Sequence, residues 1–436
     1  MKKLLIISLL IGSVYADIID IPGDYPTIQE GLDVAVDGDT VYVQAGTYYE
    51  NIIWPSINGI KLIGEDRNST IINGNQSGSV VAFENIVGPI STETLISTLT
   101  ITNGYGNDLN GGGISLIGVS PRITDITIIS NHSYNGGGIC MVSSFPEINN
   151  TSISDNSAIN EGGGITMVQS SPRLTDVNIL NNYAAYGAGI TISTHSDPRL
   201  ENVEIKGNES ANIGGGIYLN DNIPEFLFYN IIIHQNSAQN NGGGIWGRYS
   251  NGKIINSVIT NNIAEYQGGG MYFQDQMNID IKNSIIINNT LSNYIFIDSE
   301  IHISYSLFDT IFPGVGNING NPLFTDPENG DYMLEDDSPC IDTGTADIDD
   351  DGIDDITDYY GTAPDMGAYE YFQYYSEADI NADGIVNIQD LLLILEFILE
   401  YVVPENWQIA AADVNLDGEI NIIDITYIVS HRILSE

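Results

Sequence analysis

The residues best equipped for chemistry lie near the end of the chain. Asp379, Asn381, Asp383, Asn387 and Asp390 place oxygen side chains at positions 1, 3, 5, 9 and 12 of one stretch, with Gly384 at position 6 and the carbonyl of Ile385 at position 7. Calcium takes six to eight hard oxygen ligands at about 2.3–2.6 Å, and this spacing wraps a single strand of chain around one ion, glycine permitting the sharp turn. The pattern recurs 34 residues later as Asp413, Asn415, Asp417, Gly418, Glu419 (through its carbonyl), Asn421 and Asp424. Solvated acidic turns would not explain glycine at the sixth place twice. A third stretch, Asp347, Asp349, Asp351, Gly352, Asp355 and Asp358, repeats positions 1, 3, 5, 6, 9 and 12. Carboxylates this crowded repel one another unless a cation sits among them. Ca²⁺ is the expected cofactor of all three loops.

The first two loops each run into an apolar stretch, 391–399 and 425–434, that reads as a helix; the third has no such flank. Paired loop–helix units of this kind resemble a dockerin type I module, and the resemblance covers residues 377–436. It implies calcium binding and a cohesin-like partner domain. Dockerins commonly carry small hydroxyl residues at loop positions 10 and 11 for the cohesin contact, whereas this chain has Ile388-Gln389 and Ile422-Ile423. Calcium therefore stands on firmer ground than the cohesin, and packing of the module against the rest of its own chain is the alternative.

A second set of residues with chemical potential belongs to a repeat. Gly-Gly-Gly begins at 111, 136, 162, 214, 242 and 268, with Gly187-Ala188-Gly189 in the gap, at steps of 25 to 28 residues. Asn103, Asn131, Asn156, Asn182, Asn208, Asn236, Asn262 and Asn289 keep the same beat. Short β-branched runs such as 126–128 and 203–205 lie between these markers. Strands this short bury their apolar faces only by stacking on neighbouring repeats, so the chain is expected to coil upon itself. Equivalent asparagines can form amide ladders up such a stack, and glycines allow tight corners. The pattern resembles the right-handed parallel β-helix of the pectin-lyase-like superfamily, over about residues 20–310.

Within each coil the first and third residues after the triplet are mostly aliphatic, Ile217 and Leu219 for example. Strand alternation then turns the second residue outward. That column reads Ser115, Cys140, Thr166, Thr191, Tyr218, Trp246, Tyr272. With coils about 4.8 Å apart, Tyr218, Trp246 and Tyr272 are expected to form an exposed aromatic stripe, flanked by Arg248, Asn220, Gln274, Asp221 and Asp275. Flat rings with polar neighbours suit the faces and hydroxyls of a sugar chain; mutual stacking that only stabilises the sheet is the competing reading. Arg122, Glu147, Arg173 and Arg199 form a second outward column. It admits either an arginine that abstracts a sugar proton, as the resemblance to polysaccharide lyases implies, or a surface ion-pair ladder of little energetic weight.

At the other end, 1–16 has a basic start (Lys2, Lys3), an apolar run too short to span a bilayer and the small-residue close Val14-Tyr15-Ala16. It reads as a signal peptide, whose removal takes the net charge from −46 to −48 and sends the protein to the exterior or the cell surface. A capping-box signature at Thr27–Glu30, with Ile28, Leu32, Ala35 and Val36 on one face, predicts a helix covering the first coil. Many secreted β-helix proteins begin in this way. Asn321-Pro322-Leu323-Phe324, Ser338-Pro339-Cys340-Ile341-Asp342 and Asp365–Glu370 resemble the closing segment of such proteins.

Composition excludes several classes. Twelve basic residues against 58 acidic ones cannot displace counterions from nucleic-acid phosphates. Anionic membranes are disfavoured for the same reason, and no segment reads as a membrane span. Cys140 and Cys340 lie far apart in sequence and are expected as free thiols. The acidic triads of polygalacturonases and the downstream motifs of pectin methylesterases are absent. No two of His132, His195, His234, His302 and His431 have metal-ligand spacing.

The sequence thus predicts an all-β protein. A signal peptide (1–16) precedes a right-handed parallel β-helix with an N-terminal cap (17–318), a C-terminal cap segment with an acidic loop (319–371) and a small α-helical calcium-binding dockerin-like module (377–436). The expected function is binding, or help in degrading, an extracellular polysaccharide; an enzymatic version would be a polysaccharide lyase or glycoside hydrolase. The alternative is a non-catalytic surface structural protein or adhesin.

Overall fold

The structure is a computed structural model that describes residues 16–433 apart from 85, 108–110, 222, 372–377, 382–384, 400, 405 and 416–418. The proposed signal peptide, Asp383 and Asp417 therefore lie outside the described residues, except for Ala16. The chain divides into two compact units at Ile303/Ser304.

The first unit is a right-handed parallel β-solenoid, the main part of a fold of about 11 turns. Its ten-stranded parallel sheet climbs from Ile52–Ile53 to Tyr294–Ile297, one strand per coil, and a six-stranded sheet climbs from His132–Asn135 to Ile263–Ala264. A larger sheet supplies the remaining wall, its strands bending at positive-φ residues such as Asn150, Asp176 and Asn202. Inward positions are filled by Ile, Leu and Val, with Ile190, Ile217, Ile245 and Met271 in one file at full burial.

Two sequence signals prove structural. From Asn131 to Asn289 each side-chain amide donates to the next asparagine's Oδ1 at 2.9–3.1 Å, and that Oδ1 also accepts the preceding backbone N–H. Asn103 is not part of this ladder: Gly104 occupies its place, donating its N–H to Asn131 Oδ1 at 2.8 Å. Glycine triplets link the six- and ten-stranded sheets. At Gly242 φ is +68°, and a Cβ on Gly243 would fall 2.4 Å from the carbonyl oxygen of Ile263 in the next coil. The corner closes only where side chains are missing.

The N-terminal helix, Ile28–Val34, is capped by Thr27, whose Oγ1 accepts the N–H of Glu30, while the carboxylate of Glu50 accepts those of Ile28 and Gln29. A carboxylate at a helix N-terminus satisfies otherwise orphaned donors. Ile28, Leu32 and Ala35 are buried as expected, but Val36 is exposed because the helix has already ended.

In the second unit, Leu307–Phe308 pairs with Ile318–Asn319, and Phe324–Asp326 forms a hairpin with Asp331–Leu334. The helices Ile388–Ile398, Asn406–Ala412 and Ile422–Ile428 follow, the last running into a π-helical turn, Val429–Ile433. Two of these correspond to the expected helices, each starting three residues earlier. The middle one has no counterpart in the sequence reading, because seven residues are too few for a period to show. Ala378, Ile380, Leu391, Ile394, Phe397, Ala412 and Ile428 form the core they share. Among the described residues no helix is long and apolar enough to cross a membrane.

Candidate functional site

In the C-terminal module each loop ends on a buried carboxylate that gathers backbone donors. Asp390 is fully buried; its Oδ1 accepts the N–H groups of Ile380 (2.8 Å) and Asn381 (3.1 Å), and its Oδ2 that of Asn387 (2.8 Å). Asp424, equally buried, repeats this with Asn415 (3.4 Å) and Asn421 (2.9 Å). Asn387 and Asn421 also cap the helices that follow, each accepting from the residue two ahead at 2.8 Å. Position 12 is therefore locked onto its own loop in both halves. Asp379 at position 1 is buried as well. Carboxylates out of water need compensation, and Arg432 is the one Lys or Arg beyond residue 282 in the chain. The donor set of carboxylates, amide oxygens and the carbonyls of Ile385 and Glu419 fits calcium.

The module also exposes apolar residues on its first and last helices. Ile388, Leu392, Leu395 and Leu399 are exposed along one face of the first helix and its C-cap, as are Ile422, Ile423 and Tyr427 on the last. Position 10 of both loops and position 11 of the second, Ile388, Ile422 and Ile423, belong to this surface.

In the third acidic loop, oxygens of Asp347, Asp349 and Asp355 lie within 4.8 Å of one another. Asp351 turns its Oδ1 to the N–H of Ile353, and Asp358 is not part of the cluster. Among the described residues no histidine joins a metal-type group.

The aromatic column differs from its expectation. Tyr218, Trp246 and Tyr272 are in register on successive coils, but they are only 6, 5 and 7% exposed. The outer faces of the six- and ten-stranded sheets meet at a re-entrant corner, where Tyr186 and Ile213 of one sheet pack against the rings of the other. Alternation along a strand assigns a side to each residue, yet the outside of a concave corner is still interior. Ring faces are spent on each other: Tyr218 stacks on Trp246 at 5.0 Å, and the guanidinium of Arg248 lies 5.7 Å from the Trp246 and Tyr249 centroids while donating to Asn220 at 2.6 Å.

The corner contains one residue that spacing could not reveal. Glu161, in register with Tyr186, has its carboxyl pushed up by burial and lies near Cys140 and the Tyr218 hydroxyl, itself pushed up to about 12 by burial. The register slips at this point, so a count along the sequence places Glu161 in a turn.

In the arginine column Arg122 pairs with Glu147 at 3.1 Å, while Arg173 turns to Glu201, outside the column, at 2.7 Å, all at least one-third exposed. Cys140 and Cys340 are both free and buried.

A third group lies between residues 342 and 371. Asp365 accepts the N–H of Asp342 at 2.8 Å and that of Tyr371, and Glu370 accepts the N–H of Asp365 at 3.1 Å. Burial pushes Asp365 up to about 6 and Glu370 up to about 7, the latter helped by the Asp365 charge. A carboxyl that holds its proton more tightly folded than unfolded favours folding at low pH, and this advantage is lost between the unfolded and folded values, about pH 4 to 7. Glu370→Gln should therefore melt like the parent near pH 4.5 and above it at pH 8, by about 1–2 kcal/mol after allowing for partial exposure. Thermal melts across that range check the sign; a constant difference would refute it.

The dockerin type I domain matches residues 377–434, and the right handed beta helix region matches residues 86–246 and 163–325, together more than half of the chain. Among solved structures, pectate lyase Pel9A is similar at a TM-score of 0.50 and 13% identity, covering 83% of this chain and 98% of its own. A pectin methylesterase from carrot follows at a TM-score of 0.39 and 14% identity, covering 66% and 89%. No curated protein matches the chain. Solenoid, corner and duplicated loops together place this chain in the right-handed β-helix family, with a dockerin type I domain at its C-terminus.

Proposed function

We propose that the protein is an extracellular polysaccharide-handling component, attached to a scaffold by its calcium-loaded C-terminal module. The observation that carries this reading is the module: two loops with buried position-12 carboxylates support calcium, and the apolar strips on its first and last helices give a cohesin-like domain a surface to cover. Isoleucine at position 10 of both loops and at position 11 of the second suits a drier contact than hydroxyls would make. The third acidic loop, through Asp347, Asp349 and Asp355, takes a further calcium in this reading.

The re-entrant corner is the part of the solenoid suited to a sugar chain. It runs along the stacking axis, and Tyr218, Trp246, Arg248 and Tyr272 line it together with Glu161. Because the ring faces are already stacked, a glycan meets ring edges, the Tyr218 hydroxyl, the Arg248 guanidinium and the Glu161 carboxyl. Acid–base cleavage of a glycosidic bond ordinarily takes two carboxyls about 5–10 Å apart, so binding is favoured over hydrolysis. A net charge of −46 favours neutral chains, or acidic ones bridged by calcium.

Retention on a polysaccharide panel, with calcium and with chelator, tests the reading alongside capture by cohesin domains. Trp246→Ala should lower retention on the bound glycan by about tenfold, the scale of a buried aromatic anchor. Unchanged retention on every glycan, with no cohesin capture, would instead favour a surface structural protein, to which the buried stack already gives some support.

A further inference from the structure

An exposed aromatic patch lies at the N-terminal end of the six-stranded sheet, on its outer face and outside the corner. Strand register places Tyr105, His132, Ser157 and Tyr183 in one file on four successive coils. Ser133, Ala158 and Ala184, one residue further along, are buried, so alternation turns Tyr134 and Ile159 outward beside that file. Tyr105, Tyr134, Ile159 and Tyr183 are 52, 41, 58 and 45% exposed, against 5 to 7% for the rings in the corner. Tyr105 leans on the imidazole of His132, ring centroids 4.9 Å apart and tilted by 38°, and His132 Nδ1 meets Ser157 Oγ at 2.8 Å. Scattered apolar residues are ordinary on a protein surface, but here four successive coils each add one to a single face. Charge also sets the patch apart. The outward positions before the corner, His132, Tyr134, Ser157, Ile159, Tyr183 and Ala185, include no carboxylate in a chain with 58 acidic residues. Carboxylates stand at its margins: Asp155 in the preceding turn, Glu161 at the corner and Glu209 on the next coil.

We propose that this patch is a platform for a neutral polysaccharide, which lays the apolar faces of its sugar rings across Tyr105, Tyr134 and Tyr183. Coils stack about 4.8 Å apart, so Tyr183 stands ~10 Å beyond His132, close to the length of an extended disaccharide, and ~14 Å from Tyr105. A chain laid along the stacking axis therefore meets an apolar side chain on every coil. Tyrosine suits this contact, since its ring gives apolar area and its hydroxyl a hydrogen bond, and the His132–Ser157 pair adds polar atoms for sugar hydroxyls. The acidic margins can accept hydroxyls but repel an anionic chain. They also disfavour a second copy of this protein as the occupant, because each copy carries a charge of −46. In substrate class this rests on the polysaccharide reading above, but it uses no residue of the corner.

Affinity electrophoresis of the full chain would use gels containing hydroxyethylcellulose or galactomannan, both neutral, or carboxymethylcellulose, which has the backbone of the first but is anionic. Retardation by at least one neutral gel and not by the anionic one is expected. Tyr134→Ala/Tyr183→Ala should weaken that retardation by about tenfold or more, whereas Tyr49→Ala, a more exposed ring outside the patch, should not. Tyr134→Phe/Tyr183→Phe keeps the rings and should stay close to the parent, which separates lost stacking from lost folding. Retardation that falls in Trp246→Ala but persists in the double alanine variant would overturn the platform and leave the corner standing. No retardation in either neutral gel, retardation by the anionic gel alone, or a dimer in sedimentation that the double alanine variant splits, would also overturn it.

Discussion

Removing calcium should unfold the C-terminal module while the solenoid stays folded. The reason is electrostatic. Asp379, Asp390 and Asp424 are almost wholly removed from water in a segment whose one Lys or Arg is Arg432. Backbone N–H groups meet part of that cost for Asp390 and Asp424, but like charges gathered in a loop still need a cation. The shared core is small, with Ile380, Leu391, Ile394, Phe397 and Ile428 as its larger members. Domains of this size are marginal without a staple or a metal. Calcium at a hundred times its dissociation constant contributes about 2.7 kcal/mol per site, so two filled loops together approach the whole stability of a small domain. Chelation should abolish most of the helical far-UV circular dichroism, calorimetric titration should show saturable heat, and Asp390→Ala or Asp424→Ala should each lose one site. An unchanged helical signal in chelator, together with no heat on adding calcium, would contradict this.

The second large effect concerns the asparagine ladder. Asn208 donates to Ile179 O and to Asn236 Oδ1 at 2.9 Å each, and its own Oδ1 accepts the backbone N–H and the amide of Asn182 at 2.9 and 3.0 Å. Asn208→Ala leaves two donors and two acceptors wanting partners in a site with no solvent access, at about 1–3 kcal/mol for each group that finds none. A net loss of about 3–5 kcal/mol is expected, lowering the melting temperature of the solenoid by roughly 6–15 °C. Asn208→Asp keeps the acceptor but loses the donors and places a charge against a carbonyl, so it should not rescue. A fall within about 1 kcal/mol of a surface asparagine such as Asn251 would show that the ladder is passive.

These expectations differ in how far they were legible before any coordinates. The solenoid was legible because each coil repeats the same problem: a short strand buries its apolar side only against the next coil, so the corner glycine and the turn asparagine must recur at one period. Asn103 misled because the period, not the chemistry, marked it; only hydrogen bonding shows that Gly104 holds that place. The loops proposed for calcium were legible because all their candidate ligands lie on one short segment, whose spacing sets the arrangement. Helix starts were less so, since Asn387 and Asn421, read as candidate ligands, also cap the helices, which begin on the loops.

Local order alone thus determined the coil and the two duplicated acidic loops, since each depends on residues close in sequence or repeated along it. Tertiary structure decided which outward residues see solvent. Tyr218, Trp246 and Tyr272 are hidden because two sheets meet at an inward angle, and Glu161 joins them through a slipped register. Contacts of this kind join residues tens to hundreds of positions apart, and curvature between sheets leaves no trace in the period of any single strand.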